Sequence, residues 1–99
     1  MGTLDPKLVT IFNQHQEEIK NNYSVESLSL FGSIIKGTAG ADSDIDILVR
    51  YRKTPGLFAF MDLKRYLESI VGKPVDLVTE GALKKQLRSE ILKEAVRVA

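Results

Sequence analysis

Cysteine is absent from the 99-residue chain, which excludes disulfides and thiolate zinc sites. Net charge is nearly absent as well. A formal +1 at pH 7 argues against a protein that coats DNA and gives no strong nucleic-acid signal, while leaving room for local basic patches. No apolar run approaches the roughly 20 residues needed to span a bilayer. The opening MGTLDPKLV lacks the basic-then-apolar layout of a signal segment, and Pro6 stands where the N-myristoylation pattern requires Ser or Thr. Repeats, low-complexity tracts and linkers are missing too, and no GK[ST] occurs at P-loop spacing. What remains is a globular balance of 43% apolar and 27% charged residues, in a length that fits one domain around one core. The expectation is a single soluble, cytoplasmic domain over residues 1–99.

Local patterning then places the elements. Leu8, Ile11, Phe12 and Ile19 recur at helical spacing. Asp5 is a good N-cap ahead of a first-turn Pro6, so a helix is predicted from Pro6 to about Asn21. Ser27–Phe31 alternates polar and apolar residues and reads as a short strand. Ile45–Tyr51, β-branched and apolar, reads as a stronger one. KTPG (Lys53–Gly56) breaks the chain. Leu57, Phe60, Met61, Leu67, Ile70 and Val71 mark a second long helix, stopped by Gly72–Pro74. Val75–Thr79 is a third strand. A last helix carries an apolar stripe of Leu83, Leu87, Ile91, Ala95 and Val98. The order is helix, strand, glycine-rich turn, strand, helix, strand, helix: an α/β (α+β) fold with a small mixed sheet of about three strands and helices packed on it. The last two strands are joined by a crossover of βαβ length and should run parallel, with the first strand antiparallel to the second.

Within this frame Asp44 and Asp46 stand at the mouth of a strand, where aspartate is disfavoured. Alternation along a strand puts them on one side, with α-carbons about 6–7 Å apart, and turns Ile45, Ile47 and Val49 to the other. Asp76 opens the parallel neighbour, so three carboxylates should converge. Crowded negative charges raise one another's pKa values, and a divalent cation relieves them. Magnesium takes a few carboxylates and completes its shell with water and phosphate oxygens, and two such ions about 3.5–4 Å apart form the clamp of in-line nucleotidyl displacement. Taken singly, each aspartate would pass as a strand cap or an edge residue; the three together do not.

Gly32 and Ser33 directly follow the first strand. Glycine permits close approach of backbone to a ligand, and amides just past a strand can form a phosphate nest. The Ser33 hydroxyl adds a donor and Lys36 a charge, while Gly37 and Gly40 let the chain turn back. Alone this is an ordinary connecting loop. Joined to SDID (Ser43–Asp46), it reads as one half of a site, with Gly32, Ser33, Lys36 and Ser43 toward the polyphosphate and the aspartates toward its metal.

GSIIKGTAGADSDIDI resembles the signature of the minimal nucleotidyltransferases (MNT domains) of the polymerase-beta superfamily: Gly-Ser after a strand, about ten residues, then Asp-hydrophobic-Asp-hydrophobic. The likeness extends over almost the whole chain, including VDLVTEGALKKQLRSEILKEAVRV as the third-carboxylate strand and final helix. It implies that Gly32 and Ser33 hold nucleotide phosphates, that Asp44 and Asp46 ligate magnesium, and that Asp76 is the third carboxylate, able to ligate metal and help deprotonate an acceptor hydroxyl. Where many members read GS-x-A-R-G, Ile35 and Lys36 stand here at the alanine and arginine positions, and lysine lacks the bidentate fork of arginine. Relatives of this size are usually antitoxins paired with a HEPN-domain ribonuclease, transferring AMP from ATP to a tyrosine of that toxin. The resemblance therefore implies ATP and magnesium as cofactors, a HEPN toxin as partner, and oligomeric assembly with it. The alternatives are a non-catalytic antitoxin that masks its partner, and nucleotidyl transfer to a small molecule or RNA end.

Other features carry less. His15 sits among polar neighbours and reads as a surface residue. Arg50–Lys53 reads as a solvated strand end, and the charges of the last helix as a solvated face. Phe58 and Phe60 fall on different helix faces, which leaves one of them for either core packing or partner binding.

Overall fold

A computed structural model of the chain describes residues 6–37 and 44–99. Asp5, Gly40 and Ser43 from the sequence reading lie outside them. The elements run α1 (Pro6–Gln14), α2 (Gln16–Asn22), β1 (Val25–Phe31), α3 (Ser33–Lys36), β2 (Ile45–Tyr51), α4 (Leu57–Val71), β3 (Val75–Thr79), a 3-10 turn (Glu80–Ala82), α5 (Lys85–Glu94) and β4 (Val96–Arg97). The sheet order is β3-β2-β1-β4. β1 is antiparallel to both β2 and β4, and β2 is parallel to β3, so the expected mixed sheet is present.

The parallel pair follows from its connection. α4 ends at Gly72, whose φ of 70° is the left-handed cap conformation that glycine adopts without strain. The chain then reverses, and the Glu68 carboxylate accepts the Val75 amide at 3.0 Å. The Ile45 amide donates to the Pro74 carbonyl at 2.9 Å. These two bonds start β2 and β3 level with each other, pairing Ile45 with Val75 and Asp46 with Asp76.

Alternation divides the sheet into two faces. Leu28, Leu30, Ile45, Ile47, Val49, Val75 and Leu77 are buried in one cluster with Phe12 and Ile19 of α1 and α2 and Leu63 and Leu67 of α4. Each such side chain contributes roughly 1.5–3 kcal/mol by leaving water. Ser27, Ser29, Phe31, Asp46, Leu48, Arg50, Asp76 and Val78 alternate to the opposite face. Tyr66 ties the helical layer together, donating its hydroxyl to Glu18 at 2.9 Å and packing on the Tyr23 ring at 5.1 Å.

Four features depart from the sequence reading. The first helix is interrupted at His15 (φ −104°, ψ 8°), where the Ile11 carbonyl accepts both the His15 amide at 3.2 Å and the ring Nδ1–H at 2.8 Å. β1 begins two residues early, at Val25. The sheet has four strands rather than three, because the last helix stops at Glu94 and Ala95 turns extended. Val96 and Val98 are β-branched, and β1 has an edge to fill: Val98 and Leu28 bond at 2.9 Å, Leu28 and Ala99 at 3.2 Å. Finally, of the stripe read into the last helix only Val98 reaches the core, and it does so from the extended segment after the helix. α5 buries none of its residues, Leu87 is half exposed, and on α4 Leu57 and Met61 are also exposed.

Candidate functional site

At the Asp46 end of β2 three segments meet. Phe31, the last residue of β1, pairs with Asp46 on one side, and Asp76 pairs with it on the other. Gly32 then turns the chain with φ 71° and ψ −144°, a region that only glycine occupies freely. The turn drives its backbone against Asp46: a β-carbon at position 32 would fall on the Asp46 Oδ2 atom and lie 3.1 Å from its Cγ. α3 follows immediately, its Ile35 and Lys36 amides donating to the Gly32 carbonyl at 3.1 and 3.0 Å. Gly37 closes it in the left-handed conformation.

Asp46 is the centre of this arrangement. Its carboxyl is pushed above the ordinary range, first by burial, then by the charge of Asp76, by a hydrogen bond with the Asp76 side chain, and by the charge of Asp44. One force opposes these: the Ser33 amide donates to the Asp46 carboxylate and favours its charged form. The Gly-Ser turn and the carboxylates are thus one bonded unit. The sequence placed both halves there but gave no sign of this bond, or of the absent side chain at Gly32 that permits it.

The expected residues are not all equally engaged. Asp46 and Asp76 are in contact. Asp44 is exposed just ahead of β2 and acts on Asp46 through its charge. Among the described residues no group of three His, Asp or Glu side chains is arranged to hold a metal ion as it stands. Lys36 is turned to α5, 3.7 Å from Glu94, with both side chains largely in solvent. The Ser33 amide is taken by Asp46, so the Ser33 hydroxyl is the donor of that residue left for a ligand.

Sequence reasoning missed a second charged group on the same sheet face. Glu80 receives Arg50 at 2.7 Å and Arg88 of α5 at 3.1 Å, and these hydrogen bonds hold its carboxyl below the ordinary range. Arg50 lies four residues from Asp46 on the same side of β2, so its placement was readable by alternation. Its partner across a strand and a turn was not. An open hollow of about 220 Å³ lies there, lined by Ser27, Ser29, Leu48, Arg50, Leu92 and Arg97 among others.

Comparison with known proteins agrees with this geometry. The nucleotidyltransferase domain family model matches residues 12–98. The chain is 38% identical over 98 residues to the protein adenylyltransferase MntA of Thermococcus cleftensis, covering 99% of this chain and 98% of that one. Its fold is similar to a solved minimal nucleotidyltransferase (TM-score 0.74, 32% identity, covering 90% of this chain and 93% of that one). It is also similar to a chain from a toxin–antitoxin crystal structure with AMP-PNP (TM-score 0.70, 25% identity, covering 87% and 71%). The carboxylates, the turn bonded to them and these likenesses place the chain in the nucleotidyltransferase domain family, as an enzyme of its minimal type.

Proposed function

We propose that the chain transfers AMP from ATP, with magnesium, to a tyrosine hydroxyl of a partner HEPN-domain toxin, and so acts as its antitoxin in the cytoplasm. The observation that carries this reading is Asp46 held against Asp76 in register, with Gly32-Ser33 folded onto it. The name of the Thermococcus relative and the AMP-PNP complex support the adenylyl donor and the toxin acceptor.

The donor set fits a hard divalent cation. Asp46 is half-buried, its carboxyl is raised by that burial and then by two neighbouring acids, and among the described residues no ion pair is made by Asp44, Asp46 or Asp76. Asp44, Asp46 and Asp76 would hold the ion. When bound, magnesium supplies charge neutralisation for the carboxylates and the triphosphate. The chain's own residues do the positioning. The Ser33 hydroxyl donates to a phosphate oxygen, and Gly32, without a side chain, lets the Asp46 carboxylate close against the turn that presents that hydroxyl. Asp76, exposed at the start of β3, faces the acceptor hydroxyl and takes its proton. The acceptor oxygen then bonds the α-phosphorus as the bond to the β-phosphate breaks and pyrophosphate leaves. Positioning and electrostatics supply most of the acceleration in such transfers.

The test is incubation with α-labelled ATP, magnesium and the HEPN protein of the same genome. The wild type should label the toxin, and the Asp44→Ala/Asp46→Ala variant should not. An unlabelled toxin with the wild type, or equal labelling by both, would overturn the reading.

A further inference from the structure

The first turn of α4 exposes three neighbouring apolar side chains. Leu57 is 72% exposed, Phe58 85% and Met61 40%. Helical geometry puts Met61 three residues from Phe58 and four from Leu57, so the three share one surface. Phe60 between them turns inward and packs on the core. Clustered apolar side chains exposed together in this way mark interaction sites. Together they offer on the order of 400 Å², about half of one partner's share in a standard interface. They make an anchor rather than a whole interface.

What surrounds the anchor states the chemistry of its occupant. Arg65 lies one turn beyond Met61 on the same face, and Lys53 lies just before the helix; both are exposed. Beside the ridge is a hollow of about 350 Å³, lined by Tyr23, Tyr51, Lys53, Gly56 and Asp62 among others. Tyr51 brings a buried hydroxyl that has no partner among the described residues. A hydroxyl donor and a lysine ammonium suit a carboxylate; Asp62 opposes them from the lining, and the charge of Glu18 is felt at Tyr23 on the same hollow. We infer that the start of α4 is the docking surface for the partner protein, which presents an apolar patch ringed by acidic side chains, one of them seated in the hollow beside Tyr51 and Lys53. The identity of that partner as the HEPN toxin rests on the reading proposed above.

The surface lies at the far end of the sheet from the carboxylates. Tyr51 closes β2 and Asp46 is its second residue, five residues or about 17 Å apart at the strand rise. The toxin is therefore gripped at one end of the sheet and modified at the other, and its acceptor tyrosine must reach across. Docking and chemistry are separable by mutation.

The experiment is calorimetric titration of the HEPN protein with wild type, Phe58→Asp and Phe58→Ser, alongside labelled-AMP transfer kinetics and sedimentation of the chain alone. Both variants should keep the wild-type melting temperature. They should bind the toxin at least tenfold more weakly and raise KM for the toxin with kcat unchanged, as loss of uniform binding requires. Lys53→Glu should weaken binding in the same direction and flatten its salt dependence. Wild-type affinity in both Phe58 variants would overturn the docking surface and leave the transfer reading intact. Phe58-dependent binding without any transfer by the wild type would do the reverse. A self-dimer that Phe58→Asp dissolves, or no binding of the toxin by the wild type, would overturn the assignment of the surface to this partner.

Discussion

Replacing Gly32 by alanine tests whether the turn and the carboxylate form one unit. Two costs follow from the structure. The first is conformational: at φ 71° and ψ −144° an alanine is held in a region worth about 1–3 kcal/mol of strain. The second is displacement, because the new methyl falls on Asp46 Oδ2 and 3.1 Å from its Cγ. Asp46 must rotate off the Ser33 amide, forfeiting a hydrogen bond to a charged group worth about 1.5–3 kcal/mol. The summed cost is roughly 2.5–6 kcal/mol, against a stability of about 5–15 kcal/mol for a domain of this size, so part of the population stays folded in the cold. The decisive assay is a double-mutant cycle by urea unfolding with Asp46→Ala. With Oδ2 and Cγ removed, the remaining neighbour is the residue-46 β-carbon at 3.4 Å, ordinary van der Waals contact. Gly32→Ala should then cost only the strain, leaving a coupling energy of at least about 1 kcal/mol. Costs that add to within about 0.5 kcal/mol would refute the close fit.

Two further perturbations probe the charges. Asp46 has a raised carboxyl in the fold, so it contributes stability below the unfolded aspartate range, near pH 4, and that contribution is lost as pH rises through the folded value. Asp46→Asn, which keeps an acceptor for the Ser33 amide, should raise the melting temperature at pH 7 in EDTA, with the advantage shrinking toward pH 3; a lower melting temperature at pH 7 would contradict this. Burial pushes the Tyr51 phenol up to about 12, and its hydroxyl is unpartnered. Tyr51→Phe should therefore gain about 1 kcal/mol in urea unfolding while weakening toxin binding in calorimetry; a net loss of stability would indicate a hydrogen bond at that hydroxyl.

Three elements were legible to the residue. Ile45–Tyr51, Leu57–Val71 and Val75–Thr79 are bounded by local signals, the KTPG break and the GKP stop, that agree with the tertiary fold. Their parallel pairing follows from the length of the crossover, and with it the place of Asp46 beside Asp76. β4 was hidden for the opposite reason. Ile91, Ala95 and Val98 keep helical spacing, and what makes residues 96–99 extended is the edge of β1, some seventy residues upstream. Contacts of that range leave no periodic trace. The same holds for Leu57 and Met61, which count as a core stripe by spacing and yet face solvent. The bond from the Ser33 amide to Asp46 was likewise unreadable, because it depends on the dihedral angles of one glycine.

The short tail along β1 has a consequence for solubility. An open strand edge invites pairing with other chains, and a two-residue edge strand is too short to template it. Val96 and Arg97 cap β1 at Leu30 and Ser29, while Val98 and Ala99 are each only 5% exposed and belong to the core. Removing residues 96–99 would therefore do two things at once. It would unseal the core beneath Leu28 and leave β1 as a bare edge beside the Gly32 turn, so the shortened chain should self-associate through the strand that delivers Gly32 and Ser33 to Asp46.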